Sequence, residues 1–397
     1  METETQVTGA QRAGEERVTP LELFFDLVFV LSFTQVTLKM ADNPGWENLG
    51  EGLLILAAVW WAWCAYGWLT NSIDPDENLN RVCMFAAMGG MLVVSLSIPD
   101  AFGDRGVLFG CAYFFVRAMQ LVLYVRNTPG AAEGGDLQAI LRLAPGFLLG
   151  SALLIAAGLL DDGGRASVWI LAILVDWSTP LLFGTEEFHL DPAHFAERHG
   201  LIVMIALGES ILAVGAAAGF TLSTGQVFAA LFSIAAVAAL WWAYFDVVAI
   251  VAERRLSEAP PGEQAPLARD AYSYLHFPLI AGIVLLALGL KETLALTGES
   301  LETVPALALC GGPAIYLLGQ IAFRERVLGT FSPHRALAAA ALLALIPLAL
   351  GADALVALAA VATVLAILIA YEAVHFREER VRVRANPSAS LAEMRGR

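Results

Sequence analysis

Leu21-Glu22-Leu23-Phe24-Phe25-Asp26-Leu27-Val28-Phe29-Val30 opens an apolar run that continues to residue 40 and yet carries two carboxylates. Such a run is long enough for one helix to cross a hydrocarbon core of about 30 Å. Glu22 and Asp26 stand four residues apart, so a helix sets them on one face, with Thr37 further along it. This reading puts Asp26 inside the bilayer and Glu22 at its rim. Comparable runs recur at 49–70, 82–99, 107–125, 141–160, 167–184, 200–219, 225–250, 274–291, 303–323, 334–351 and 353–371. Together they predict an all-α, polytopic transmembrane helical bundle of about twelve spans, because a helix satisfies its own backbone where no water is available.

Composition points the same way. Of 397 residues, 58 % are apolar and 15 % charged, with mean hydropathy +0.68; a soluble domain averages about 45–50 % and about 25 %. With 38 acidic against 23 basic residues the net charge is −15, and no basic domain exists to neutralise a phosphate backbone, so nucleic acid is excluded as a partner. The four cysteines lie inside apolar runs, where a free thiol acts as a small hydrophobe. The first twenty residues lack an apolar signal core, so the first span is expected to serve as the insertion signal.

Lys and Arg counts give an orientation. Eighteen fall on the side of the N-terminus and four, Lys39, Arg105, Arg165 and Lys291, on the other, with Arg117 alone inside a span. Positive residues stay cytoplasmic, so both ends are expected inside a plasma (inner) membrane. The chain divides into a tail (1–20), a first six-span unit (21–184), a linker (185–199), a second six-span unit (200–371) and a C-terminal tail (372–397).

The two units echo each other. Trp60-Trp61-Ala62-Trp63 matches Trp241-Trp242-Ala243-Tyr244, and around this anchor Glu22 aligns with Glu197, Gly90 with Gly282 and Gln120 with Gln320. Six is even, so a duplication of this kind predicts two parallel repeats about an axis along the membrane normal.

Intramembrane charge costs about 2.5–3.5 kcal/mol per group and is a functional hypothesis by default. Asp26, Asp176, Glu209 and Asp246 fall within spans, and His276 enters the ninth. Tyr113, Arg117, Gln120 and Tyr124 draw one polar stripe down the fourth. Arg117 is expected to be the only basic residue at mid-depth, paired with Glu209 or Asp26. The acidic surplus suits a proton, a small cation or a cationic solute. Glu22, Asp26, Arg117, Gln120, Asp176, Glu209 and His276 are therefore the candidate ion- or substrate-binding residues. Gly208, Gly215 and Gly219 are expected to let helices approach closely.

No cofactor or metal site is expected. His189, His194 and His199 recur every fifth residue and so cannot converge on one helical face; Asp191-Pro192 instead reads as a helix start, Asp capping and Pro in the first turn. Acidic groups at Asn71/Asp74/Asp76 and Glu187/Asp191 share one side and resemble the paired clusters of intramembrane prenyltransferases, which makes a lipid-modifying enzyme one alternative. No phosphate loop, His-Glu-x-x-His or Gly-x-Ser-x-Gly is present.

Val18-Thr19-Pro20-Leu21-Glu22-Leu23-Phe24-Phe25-Asp26, Glu197-Arg198-His199-Gly200-Leu201, Ala206-Leu207-Gly208-Glu209-Ser210 and Tyr274-Leu275-His276-Phe277-Pro278 resemble motifs of the bacterial low-temperature requirement A family. The resemblance implies a multi-pass membrane protein named for a cold-growth requirement, with Glu22, Asp26, Glu209 and His276 in family motifs of unassigned role. Phe24-Phe25-Asp26 is also similar to the first-helix signature of potassium channels built from two six-span units, although Pro20 stands where those channels carry Arg. The expected function is a cation- or proton-linked transporter or channel, in the lipid bilayer and possible as a homo-oligomer. A structural or sensory protein for cold membranes is a further alternative.

Overall fold

The computed structural model describes residues 18–127, 135–188, 190–217 and 223–385. Arg12, Arg17, His189, Gly219 and the tail beyond Asn386 lie outside the described residues. The described chain is helical throughout: α1 Pro20–Asp42, α2 Trp46–Thr70, α3 Asn78–Ser97, α4 Gly106–Asn127, α5 Gly135–Gly158, α6 Asp162–Phe183, α7 Pro192–Ala217 and α8 Thr224–Phe245. There follow α9 Val248–Ser257, α10 Pro261–Ala268, α11 Phe277–Ala295, α12 Thr303–Leu328, α13 Pro333–Ala344, α14 Ile346–Gly351, α15 Ala354–His375 and α16 Arg377–Ala385. Twelve segments among the described residues are long and apolar enough to cross a membrane, with α8–α9, α10–α11 and α13–α14 each forming one.

Local chemistry sets the helix starts. Thr19 caps α1 through its hydroxyl (Glu22 N to Oγ1, 3.3 Å) while the Glu22 carboxylate accepts the Thr19 N–H (2.9 Å), and Pro20 fills the first helical position. Asp191 caps α7 by accepting the N–H groups of Ala193 (3.0 Å) and His194 (3.1 Å). That helix then runs unbroken from Pro192 into the seventh span, eight residues upstream of the boundary expected at 200. Between α10 and α11, Arg269–Tyr274 forms a π-helical turn.

The core sits around α2, α11 and α12, which other helices enclose on almost every side, whereas only 28 % of the apolar window of α6 and of α13–α14 is covered. Leu182, Leu337 and Val374 are more than 70 % exposed, a surface that hydrocarbon must cover.

Within the first six spans, α1 packs on α2 and α3, α3 on α4, α4 on α5, α5 on α6, and α2 on α4 and α6. Within the last six, α7 packs on α8 and α11, α11 on α12, α12 on α13, α13 on α15, and α8 on α12 and α15. The seven pairings named for the first half each have a counterpart in the second, which adds contacts of α11 with α8 and α15 and of α12 with α15. The halves meet where α1 and α2 touch α7 and α11.

Close helix approach occurs elsewhere than at the glycines expected to allow it. A Cβ placed on Gly208 or Gly215 would meet nothing within 4 Å, so these residues border open space. The tight crossings are α4 on α5, where Gly106 faces Gly158, and α11 on α12, where a Cβ on Gly282 would lie 2.6 Å from the Gly312 carbonyl oxygen.

Candidate functional site

Glu22 and Asp26 both project from α1 into the seam with α7, and both are fully buried. Glu22 is enclosed between helices although it stands in the first turn of α1. Arg198 of α7, also fully buried, meets them: its guanidinium donates to Glu22 Oε1 (3.1 Å), to Thr70 Oγ1 (2.7 Å) and to Asp26 Oδ1. The Trp63 indole donates to the same Asp26 oxygen (2.9 Å), and the Arg198 cation lies 5.7 Å from the Trp63 ring. Asp26 Oδ2 has no partner among the described residues.

A second group sits above this pair. The Asn71 amide donates to the Asp191 carbonyl (3.1 Å) and to His194 Nδ1 (3.2 Å) and accepts the Asp191 N–H (2.7 Å). With Nδ1 accepting, the proton of a neutral His194 is on Nε2, which donates to Glu22 Oε2 (3.0 Å). Thr19, Glu22, Thr70, Asn71, Ile73 and His194 line a cavity of about 490 Å³ that opens at this end of the seam.

Further along the seam the contacts continue in the same direction on both helices. Glu209 of α7 lies beside Thr37 of α1, about 16 Å along α7 from Arg198 at 1.5 Å per residue. Glu209 is 1 % exposed, and neither carboxylate oxygen has a hydrogen-bond partner among the described residues. The Thr37 hydroxyl is turned to the Phe33 carbonyl (3.1 Å).

Arg117 belongs to neither acid proposed for it. It pairs with Asp176 of α6 (Nη2 to Oδ1, 3.0 Å) and donates to Gln120 Oε1 (3.0 Å), while Gln120 donates to the Ala65 carbonyl (3.1 Å). The Tyr113 hydroxyl faces the Ala58 carbonyl (3.1 Å) and Asp176 Oδ2 (3.3 Å). The Phe147 ring lies 4.5 Å from the guanidinium. The reason for the mismatch is distance in the fold: α4 packs on α5 and α2, away from the α1–α7 seam.

Nor is Arg117 the lone buried cation. Besides Arg198, Arg335 is 3 % exposed and makes a forked pair with Glu372 (Nε to Oε1, 2.7 Å; Nη2 to Oε2, 2.9 Å). It also donates to Gln320, the residue aligned with Gln120, and to the Ala243 carbonyl (3.2 Å). Tyr316 donates to the Leu240 carbonyl (2.9 Å). Each half therefore holds an arginine, a glutamine and a carboxylate bonded together, beside a tyrosine that reaches the backbone of the second helix of that half. The tryptophans of the echo diverge: Trp60 and Trp63 are fully buried, Trp241 and Trp242 are about 40 % exposed.

His276 joins α11 to α8, Nδ1 donating to the Ala271 carbonyl (3.0 Å) and Nε2 accepting from Tyr244 (2.8 Å). His199 donates from Nδ1 to the Phe195 carbonyl (2.8 Å), has no partner at Nε2, and packs 4.8 Å from Trp63 and 5.4 Å from His276 between ring centres. The π-helical turn leaves its Ser273 carbonyl and hydroxyl to accept the indoles of Trp60 (2.8 Å) and Trp68 (2.9 Å). Asp246 ends α8 and pairs with Arg380 and Arg384 of α16.

The acidic loop groups are engaged locally. Asp76 pairs with Arg81 (3.0 Å) and Glu187 with Arg142 (3.3 Å), Asp74 accepts the Asp76 N–H (2.9 Å), and Asp191 caps α7.

Twelve apolar helices around fully buried ion pairs define a multi-pass α-helical membrane protein. Within that class the chain belongs to the bacterial low temperature requirement A protein (LtrA) family, whose model matches residues 17–370. It is 29 % identical over 327 residues to an uncharacterized protein, RA0937, of Rhizobium meliloti (strain 1021), covering 79 % of this chain and 78 % of that one. No solved structure matches.

Proposed function

We propose that the protein is a proton- or small-cation-linked transporter whose coupling site is the α1–α7 seam. The observation that carries this reading is the pairing of a fully buried Glu22–Asp26–Arg198 cluster, reached by an open cavity, with a lone buried acid, Glu209, further along the same seam. An ionised carboxylate without a partner in a low-dielectric interior is costly, and a proton or a bound cation relieves that cost. Glu209 is then the group that is loaded and unloaded. Arg198, rather than Arg117, is the counter-charge that exchanges between Glu22 and Asp26 as the halves rock about the seam. The helix pairings common to both halves and the two Arg–Gln–carboxylate groups support parallel six-span repeats, with the Arg117–Asp176 and Arg335–Glu372 pairs locking each half as a rigid body. The basic asymmetry of the loops supports a cytoplasmic position for the face bearing the cavity beside Glu22, in a plasma membrane.

The test is flux in proteoliposomes under an imposed pH or K⁺ gradient. Wild type should carry flux, and D26N and E209Q should abolish it while remaining folded. Absence of flux from folded wild type with any of H⁺, Na⁺ or K⁺ sinks the reading, as does flux that both substitutions leave intact.

A further inference from the structure

The second half carries a cavity that the seam does not use. It encloses about 340 Å³ where α8, α12 and α15 end and α9 and α13 begin, roofed by α16. Its wall holds four guanidinium groups, of Arg324, Arg335, Arg380 and Arg382, against three carboxylates, of Asp246, Glu372 and Glu379. Two of these cations are already neutralised, Arg335 by Glu372 and Arg380 by Asp246. Arg324 is not. Its Nε is enclosed without an acceptor, and its Nη2 reaches only the Thr330 hydroxyl, at 3.4 Å. A half-buried guanidinium with an enclosed, idle Nε–H can take a planar or tetrahedral oxyanion.

The rest of the wall is apolar, contributed by Trp242, Leu328, Phe376 and Val383. Trp242 is also 39 % exposed on the outer surface, at the depth where helices end and interfacial tryptophans concentrate. Tyr371 and Val374 of α15 are 46 % and 79 % exposed on the flank of the bundle. The cavity is thus polar within, greasy at its wall and next to a lipid-facing surface. The corresponding place in the first half is a slot of about 50 Å³, closed over Arg117 by the Phe147 ring. The roomier space lies in the second half.

We infer that this cavity binds the phosphate group of an anionic amphiphile, with Arg324 as the phosphate-binding residue, Arg382 at the mouth, and the apolar wall against the glycerol and upper acyl carbons. Basic pockets between membrane helices suit such headgroups. The site is independent of the seam and of any transport through it.

The experiment uses the full chain in neutral detergent, titrated with brominated phosphatidylglycerol or brominated phosphatidylcholine while tryptophan fluorescence is read. Phosphatidylglycerol should give a saturable quench that phosphatidylcholine lacks and that W242F removes. R324Q should raise the half-saturation point about tenfold, R382Q severalfold, and R81Q, on the surface and paired with Asp76, not at all. Protection from the quench by inorganic phosphate supports the site and makes a soluble phosphate sufficient to fill it; protection by lipid alone supports it with the membrane as source. Equal quenching by the two lipids overturns the proposal, as do wild-type titrations from folded R382Q together with R324Q or, should R324Q fail to fold, R324K.

Discussion

Arg198 and Trp63, from different helices, donate to one and the same oxygen of Asp26, Oδ1. The carboxylate is therefore fixed from two sides, by a charge on α7 and an indole on α2, while its other oxygen stays without a partner. Removing the charge leaves two fully buried carboxylates facing each other across one helical turn.

R198A should accordingly destabilise the protein by about 3–5 kcal/mol, the usual cost of stripping one partner from a buried pair. R198A combined with D26N should recover part of that loss, since one of the stranded charges is gone. Thermal unfolding of the purified variants gives both numbers and their coupling; strict additivity would mean that the two side chains do not interact.

E209Q should behave in the opposite way. The wild-type carboxyl has no partner to lose, so the amide should be neutral or stabilising within about 1 kcal/mol. Loss of proton-driven flux from an unimpaired fold separates a working acid from a structural one. A marked fall in unfolding temperature would show that Glu209 is held by an interaction after all.

For the Arg117–Asp176 pair the prediction concerns rigidity. R117M alone should cost about 3–5 kcal/mol, and R117M with D176L, which replaces the pair by apolar groups, should return close to wild-type stability. Retained flux in the double variant would assign the pair to fixing the first half; lost flux at wild-type stability would bring it into the pathway.

Glycine substitutions test the helix crossings. G282V should fail to pack, because its Cβ would fall 2.6 Å from the Gly312 carbonyl oxygen, and should lower stability by at least the roughly 1–3 kcal/mol of overpacking. G208A meets nothing within 4 Å and should be tolerated, even stabilising by about 0.4–1 kcal/mol. Yield and unfolding temperature of the two variants rank them.

The twelve helices were legible because hydrocarbon demands an apolar run of a given length, and that demand is written locally. Asp26, Glu209, Arg117 and Asp176 were legible as charges in the wrong solvent for the same reason. Their partners were not, because pairing depends on which helices become neighbours: Arg117 and Asp176 are 59 positions apart, and Arg198 and Asp26 are 172 apart. Arg198 and Arg335 were hidden by a different effect. Each lies in the first turns of its helix, at the end where basic residues normally mark a loop, and only the packing of α1 over one and α15 over the other buries them. The glycines misled because a small residue permits a close neighbour without supplying one.

The turn at Arg269–Tyr274 carries one residue more than α-helical winding allows. It works as a phase shifter: the rotation of α11 is set apart from that of α10, although both lie in one span. Winding the same residues as α would swing everything downstream by about 100°, carrying Gly282 off the Gly312 backbone and His276 off Tyr244 at a stroke, whereas deleting one residue as the turn reverts to α would leave that setting nearly unchanged. A six-residue stretch with no charge in the seam thus fixes the angular setting of one of the two most enclosed helices of the second half.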